Sequence, residues 1–152
     1  MDHRISVSFP AAKPASAHPL WSKPKKHVGG CMEAAEAAED AEAAREAAEA
    51  AREAGNAHFK AQSYAEASLK YVDAMEQLQK LAWDGKAPDA AVEKARMESL
   101  HKCRLNRAAC YLNLGDMVGA VRDCSDVLRV DPINVKALFR RAKASSNMRT
   151  DI

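Results

Sequence analysis

The residues of this chain that point to chemistry are polar side chains placed where a helix would rather not have them. Lys136 and Arg140 stand four apart within a helical pattern. Like charges at that spacing repel by a few tenths of a kcal/mol, about 0.2–0.5. An anion held between them reverses the sign. Gly55-Asn56 falls inside another helical stretch, where glycine costs about 1 kcal/mol relative to alanine and asparagine is also unfavourable. Glycine there lets a neighbouring helix approach, but the asparagine needs another reason. Asn106, flanked by Leu105 and Ala109, poses the same question. Cations of this kind can hold an anion by charge-assisted hydrogen bonds. The chain has no GxSxG elbow, no phosphate-binding P-loop, no HExxH and no cysteine with a histidine partner at catalytic spacing. It therefore reads as a binding protein and not an enzyme, with no catalytic residue, metal or cofactor expected. Three of the five histidines (His3, His18, His27) lie near the N-terminus, and His58 reads as a packing residue.

The elements that must position these side chains follow from one recurring spacing. Ala108, Ala120, Cys124 and Val127 are separated by steps of 12, 4 and 3 residues, and Gly55, Ala67, Tyr71 and Ala74 repeat those steps. Small residues thus face small residues across two helix pairs. Turn signals fall at Gly115-Asp116 and Asp131-Pro132, and the first helix is expected to end near Ala61 with Gln62-Ser63 at its turn. This pattern resembles the tetratricopeptide repeat (TPR), a helix–turn–helix unit with a period of about 34 residues. The resemblance implies an all-α TPR solenoid over 48–149, with two full repeats and the first helix of a third. From Gly55 to Ala108 the offset is 53 residues. The surplus lengthens the second helix of repeat one and the first helix of repeat two around a loop at Asp84–Pro88. Repeat two's second helix runs from about Met117 to Val130, and Asn134 is the expected N-cap of the last helix. That last helix, 135–149, has no partner helix behind it in this sequence, so Leu138, Ala142 and Met148 are expected to lie partly bare and the segment to fray or self-associate.

Composition places the remaining segments. The net charge is only +2 and aromatics make up 5% of the 152 residues, so large side chains do not build the core. Residues 1–31 carry four prolines, scattered basic residues and Gly29-Gly30 and read as a disordered leader, with an organelle transit segment as the alternative reading. Residues 32–47 belong to an Ala/Glu-rich helix that continues into the first repeat, where Glu42 with Arg45 and Glu49 with Arg52 put opposite charges on neighbouring turns. Residues 150–152 form a short tail. Cys31, Cys103, Cys110 and Cys124 form no CxxC pair and read as reduced packing thiols, which fits a cytoplasmic protein. No apolar run approaches the ~20 residues of a membrane span, and Lys23-Pro24-Lys25-Lys26 is too short for a nucleic-acid patch.

Within the TPR class the chain resembles the co-chaperones that grip the acidic C-terminal EEVD-type peptide of heat-shock chaperones in a two-carboxylate clamp. That resemblance implies carboxylate-binding roles for Arg52, Asn56, Asn106, Lys136 and Arg140. It implies an apolar floor of Phe59, Ala109 and Leu112 for the peptide's valine. Arg52 stands where that family usually has lysine; charge is kept but the fork geometry differs. The implied partners are chaperones of the seventy- and ninety-kilodalton classes. The lengthened helices look most like the repeat region of immunophilin-type prolyl isomerases, so the repeat end of such an isomerase, lacking its catalytic domain, is one alternative. A scaffold that binds an internal helix is the other.

Overall fold

A computed structural model of the chain describes residues 30–81 and 89–150, with side chains from 36 to 149 in that range. Residues 1–29 of the expected 1–31 leader and the loop at Asp84–Pro88 lie outside the described residues, while the leader's last two positions, Gly30 and Cys31, already belong to the first helix. Five helices follow in order: α1 Gly30–Lys60, α2 Tyr64–Lys80, α3 Ala90–Leu114, α4 Met117–Val130 and α5 Val135–Thr150. Each packs on the next, and α3 also touches α1 and α5. The fold is an all-α helix–turn–helix solenoid of TPR type, in which α1, α3 and α5 share one surface.

Local sequence explains where the helices start and stop. Ala, Glu and Arg carry α1 through 31 residues with no break between the Ala/Glu-rich stretch and the repeat. It ends at a turn in which Gln62 adopts φ 62° and the Ser63 N–H donates to the His58 carbonyl at 2.9 Å. The matching turn after α3 uses Gly115 at φ 83°, which pays no Cβ penalty there. Asp89 and Asp116 cap α3 and α4, accepting from the backbone N–H groups of Ala91 and Gly119 at 2.9 Å each. Asn134 caps α5 as expected, its Oδ1 accepting from the Ala137 N–H at 3.1 Å. The surplus residues lengthen α2 to 17 and α3 to 25 residues, against 14 for α4. Arg96 braces this longer pair, donating to the Leu78 carbonyl at 3.3 Å and to Glu93 at 2.8 Å.

The core is three small clusters. Ala48, Ala74, Met75, Leu78, Leu100 and Cys103 join α1, α2 and the first half of α3. Ala67, Tyr71 and Cys110 form the middle, with Phe59 and Tyr64 packed on them. Leu105, Ala108, Cys124, Val127, Leu128 and Ala137 tie α3 to α4 and α5. The recurring small residues set the helix spacing: Ala67, Ala108 and Ala120 are fully buried. A Cβ at Gly55 would sit 2.7 Å from Cε1 of the buried Tyr71 ring. Between α3 and α4 lies an ion pair that the sequence reading did not foresee. Asp123 is only 1% exposed, and the Arg107 guanidinium donates to both its oxygens, at 2.8 and 2.6 Å. A buried carboxylate persists only when paired in this way. On α5, Leu138 and Met148 are 41% and 45% exposed, Ala142 is exposed, and Phe139 is barer still at 68%.

Burial pushes the Cys103 and Cys110 thiols up to about 11 from 9.0 and the Tyr71 hydroxyl up to about 12 from 10.0. Each group holds its proton more tightly folded than unfolded, so its contribution is intact below the unfolded value and is lost as pH rises through the folded one. Stability should therefore hold to about pH 9 and fall progressively between about 9 and 12, which urea melts across that range would measure; a flat profile would contradict it. Gly55→Ala should destabilise by about 1–2 kcal/mol, because overpacking against a buried ring outweighs the ~1 kcal/mol gain in helix propensity. Chemical denaturation would read this directly.

Candidate functional site

Where α1, α2, α3 and α5 converge, a recess of ≈ 220 Å³ opens on the shared surface, lined by Asn56, Phe59, Lys60, Tyr71, Asn106, Ala109 and Arg140. Asn56 and Asn106 reach it because each stands on the inward face of its helix, one position after Gly55 and Leu105 respectively. They bond to each other: Asn106 Nδ2 donates to Asn56 Oδ1 at 3.2 Å. The Tyr71 hydroxyl, from the core below, donates to the same oxygen at 2.7 Å. That hydroxyl's pKa is raised chiefly by burial, while Arg52 and Asn106 nearby pull it the other way. Arg140 enters from α5 and donates through Nη1 to the Leu105 carbonyl at 2.7 Å, which fixes the guanidinium at the mouth. Phe59 forms one wall and meets Tyr64 edge-on, with centroids 5.2 Å apart.

The balance of charge in this recess is one-sided. Two cations line it and no carboxylate does. The neutral polar groups are amides whose mutual bond leaves further N–H donors available. An anion with a short apolar body matches this lining: carboxylate oxygens meet Lys60, Arg140 and the amides, and carbon atoms meet Phe59 and Ala109.

A second recess of ≈ 230 Å³ lies between α1, α2 and α3, with Arg45, Arg52 and Arg96 around an apolar bed that includes Ala48, Leu78, Leu81 and Cys103. Arg52 is not idle there. Its guanidinium forks onto Glu49, with Nε at 3.0 Å from one oxygen and Nη2 on the other. That bond holds the Glu49 carboxyl below its ordinary range and raises Arg52. Both side chains remain partly exposed, 24% for Arg52 and 52% for Glu49, so the pair is screened by water and adds little stability.

Of the residues expected from sequence, Asn56, Asn106, Arg140, Phe59 and Ala109 thus line one recess. Arg52 lines the second one. Lys136 is exposed on the first turn of α5 and Leu112 half-buried on α3, and neither lines the recess. Two recess residues escaped the sequence reading. Lys60 sits four residues after Asn56 on the same helical face, which was a usable signal. The step pattern marks Tyr71 only as a recurring position between paired helices; its ring does pack there, but its hydroxyl also reaches the recess floor. Among the described residues no group of three or more His, Cys, Asp or Glu side chains is placed to hold a metal ion. Among them, too, no helix is long and apolar enough to cross a membrane.

Fold and recess define a TPR-type helical module with a cationic, donor-rich groove. No protein-family model matches the chain. Among known proteins it is 36% identical over 90 residues to sperm-associated antigen 1 of Rattus norvegicus, a match covering 59% of this chain and 9% of that protein. It is 37% identical over 90 residues to mitochondrial import receptor subunit TOM34 of Homo sapiens, covering 59% of this chain and 26% of the relative. The mouse form of the same receptor subunit is 36% identical over the same length. The matched region thus spans at most about a quarter of these relatives.

Proposed function

We propose that this chain is a TPR adaptor module whose groove binds the acidic C-terminal peptide of a heat-shock chaperone, of the seventy- or ninety-kilodalton class, in the cytoplasm. The observation that carries the reading is the recess in which two asparagine amides and Arg140 converge beside Phe59 with no carboxylate among the lining. A terminal carboxylate offers acceptor lone pairs to such donors, and each charge-assisted bond contributes about 1.5–3 kcal/mol. In this reading Arg52, from the second recess, would meet a side-chain carboxylate of an EEVD-type ending, and Lys136, exposed on the first turn of α5, would meet another. Glu49 occupies Arg52 in the free chain, so the ligand's carboxylate would replace it. Binding is then the whole activity, and no catalytic role is assigned. The lengthened α2–α3 pair is what supports a likeness to the repeat region of immunophilin-type isomerases, whereas the relatives reported above are an antigen and an import receptor subunit.

Calorimetric titration with an EEVD-ending peptide tests the reading. Asn56→Ala and Lys136→Ala should each weaken it by about 1.5–3 kcal/mol, roughly ten- to a hundredfold in Kd, with the circular dichroism spectrum unchanged. Glu49→Gln should tighten it, because the ligand no longer competes for Arg52. Affinity should also fall as ionic strength rises. Parental affinity in both alanine variants, or binding indifferent to salt, would favour a scaffold that takes an internal helix.

A further inference from the structure

We propose that Tyr71 is a positioning residue that sets the groove's preference for a carboxylate over its uncharged amide. The inference rests on the carboxylate reading above. A carboxamide is two-faced: its oxygen accepts and its nitrogen donates, and half a turn about its terminal bond exchanges them. Only one of the two orientations of Asn56 suits an anion. Two donors fix which one is adopted. The Tyr71 O–H at 2.7 Å and the Asn106 Nδ2–H at 3.2 Å both end on Asn56 Oδ1. With that oxygen engaged, the NH2 of Asn56 is the group left to face the recess. Turning the amide over would set its N–H groups against the Asn106 N–H and take from the hydroxyl hydrogen, on a side chain only 1% exposed, the acceptor it has on Asn56. Buried polar hydrogens are rarely left so.

The hydroxyl can impose this because its ring cannot move. Tyr71 packs among Ala67 and Cys110, and its edge fills the space that a Cβ at Gly55 would need. Repeat two shows that packing alone does not demand a tyrosine. The step pattern puts Cys124 where Tyr71 stands and Ala109 where Asn56 stands, and Cys124 is fully buried there all the same. The phenol and the amide occur together in repeat one and are both missing in repeat two.

The test compares an EEVD-ending peptide with a free C-terminus against the same peptide amidated, on the full chain and on Tyr71→Phe. The ring is kept in this variant and only the hydroxyl is removed. The free-acid peptide should weaken about three- to tenfold, the worth of one neutral hydrogen bond. The amidated peptide should change less than about twofold on the same scale, so that discrimination between them shrinks. In the ligand-free protein the side-chain amide signals of Asn56 should shift in the variant's nitrogen–proton NMR spectrum. Tyr64→Phe, which alters the same core cluster without touching Asn56, should leave the ratio of affinities at the parental value. A ratio unchanged in folded Tyr71→Phe, or lowered equally by Tyr64→Phe, overturns the role of Tyr71 while leaving the groove's function standing. A parent chain that binds acid and amide alike overturns both.

Discussion

The architecture depends on how closely α1 and α2 approach at Gly55. With no side chain there, the Tyr71 ring lies against the α1 backbone, and everything above that contact inherits its geometry. The hydroxyl lands under Asn56, Asn56 meets Asn106 across the groove, and α3 is thereby aligned with α1 at the recess. The helix-propensity cost of glycine is about 1 kcal/mol. The burial of a large aromatic side chain more than offsets it, at about 1.5–3 kcal/mol. Ala108 and Ala120 make the same approach in repeat two, where smaller partners suffice.

Two further ties carry the order from α3 outward. Arg107 and Asp123 hold α4 to α3 through a two-pronged bond in a nearly dry site, a contact with strict angular demands. Arg140 then ties α5 back to α3 through the Leu105 carbonyl. The outer face of α5, with Val135, Leu138 and Phe139 exposed, adds little to its own retention. The position of the groove's third wall therefore rests on α4, on the apolar cluster that buries Ala137 against α3 and α4 and on the Arg140 guanidinium. A ligand that also bonds Arg140 would reinforce that wall and order the helix as it binds.

Much of this was legible in the sequence because small residues at fixed steps and capping residues at turns act locally. The steps of 12, 4 and 3 fixed the helix pairing, while Gly115-Asp116 and Asn134 marked boundaries that agree with the helices observed. Other features depend on which way a side chain points in three dimensions. Nothing in its residue type marks Gln62 for a left-handed turn, whereas Gly115 announces one. Arg107 and Asp123 are 16 apart, a separation that no helical period joins. The sequence puts Glu49 and Arg52 on neighbouring turns as opposite charges, and the family resemblance separately makes Arg52 a ligand for an anion. Both demands fall on one guanidinium, and only geometry shows that they compete.

The three described cysteines have a use that none of these arguments touches. Cys103, Cys110 and Cys124 are free thiols, and each belongs to a different one of the three core clusters. Burial keeps all three protonated and out of reach, so an alkylating reagent can capture them only when the surrounding helices part. The chain thus carries one internal clock per cluster. The order in which the thiols are labelled would give the order in which the solenoid opens.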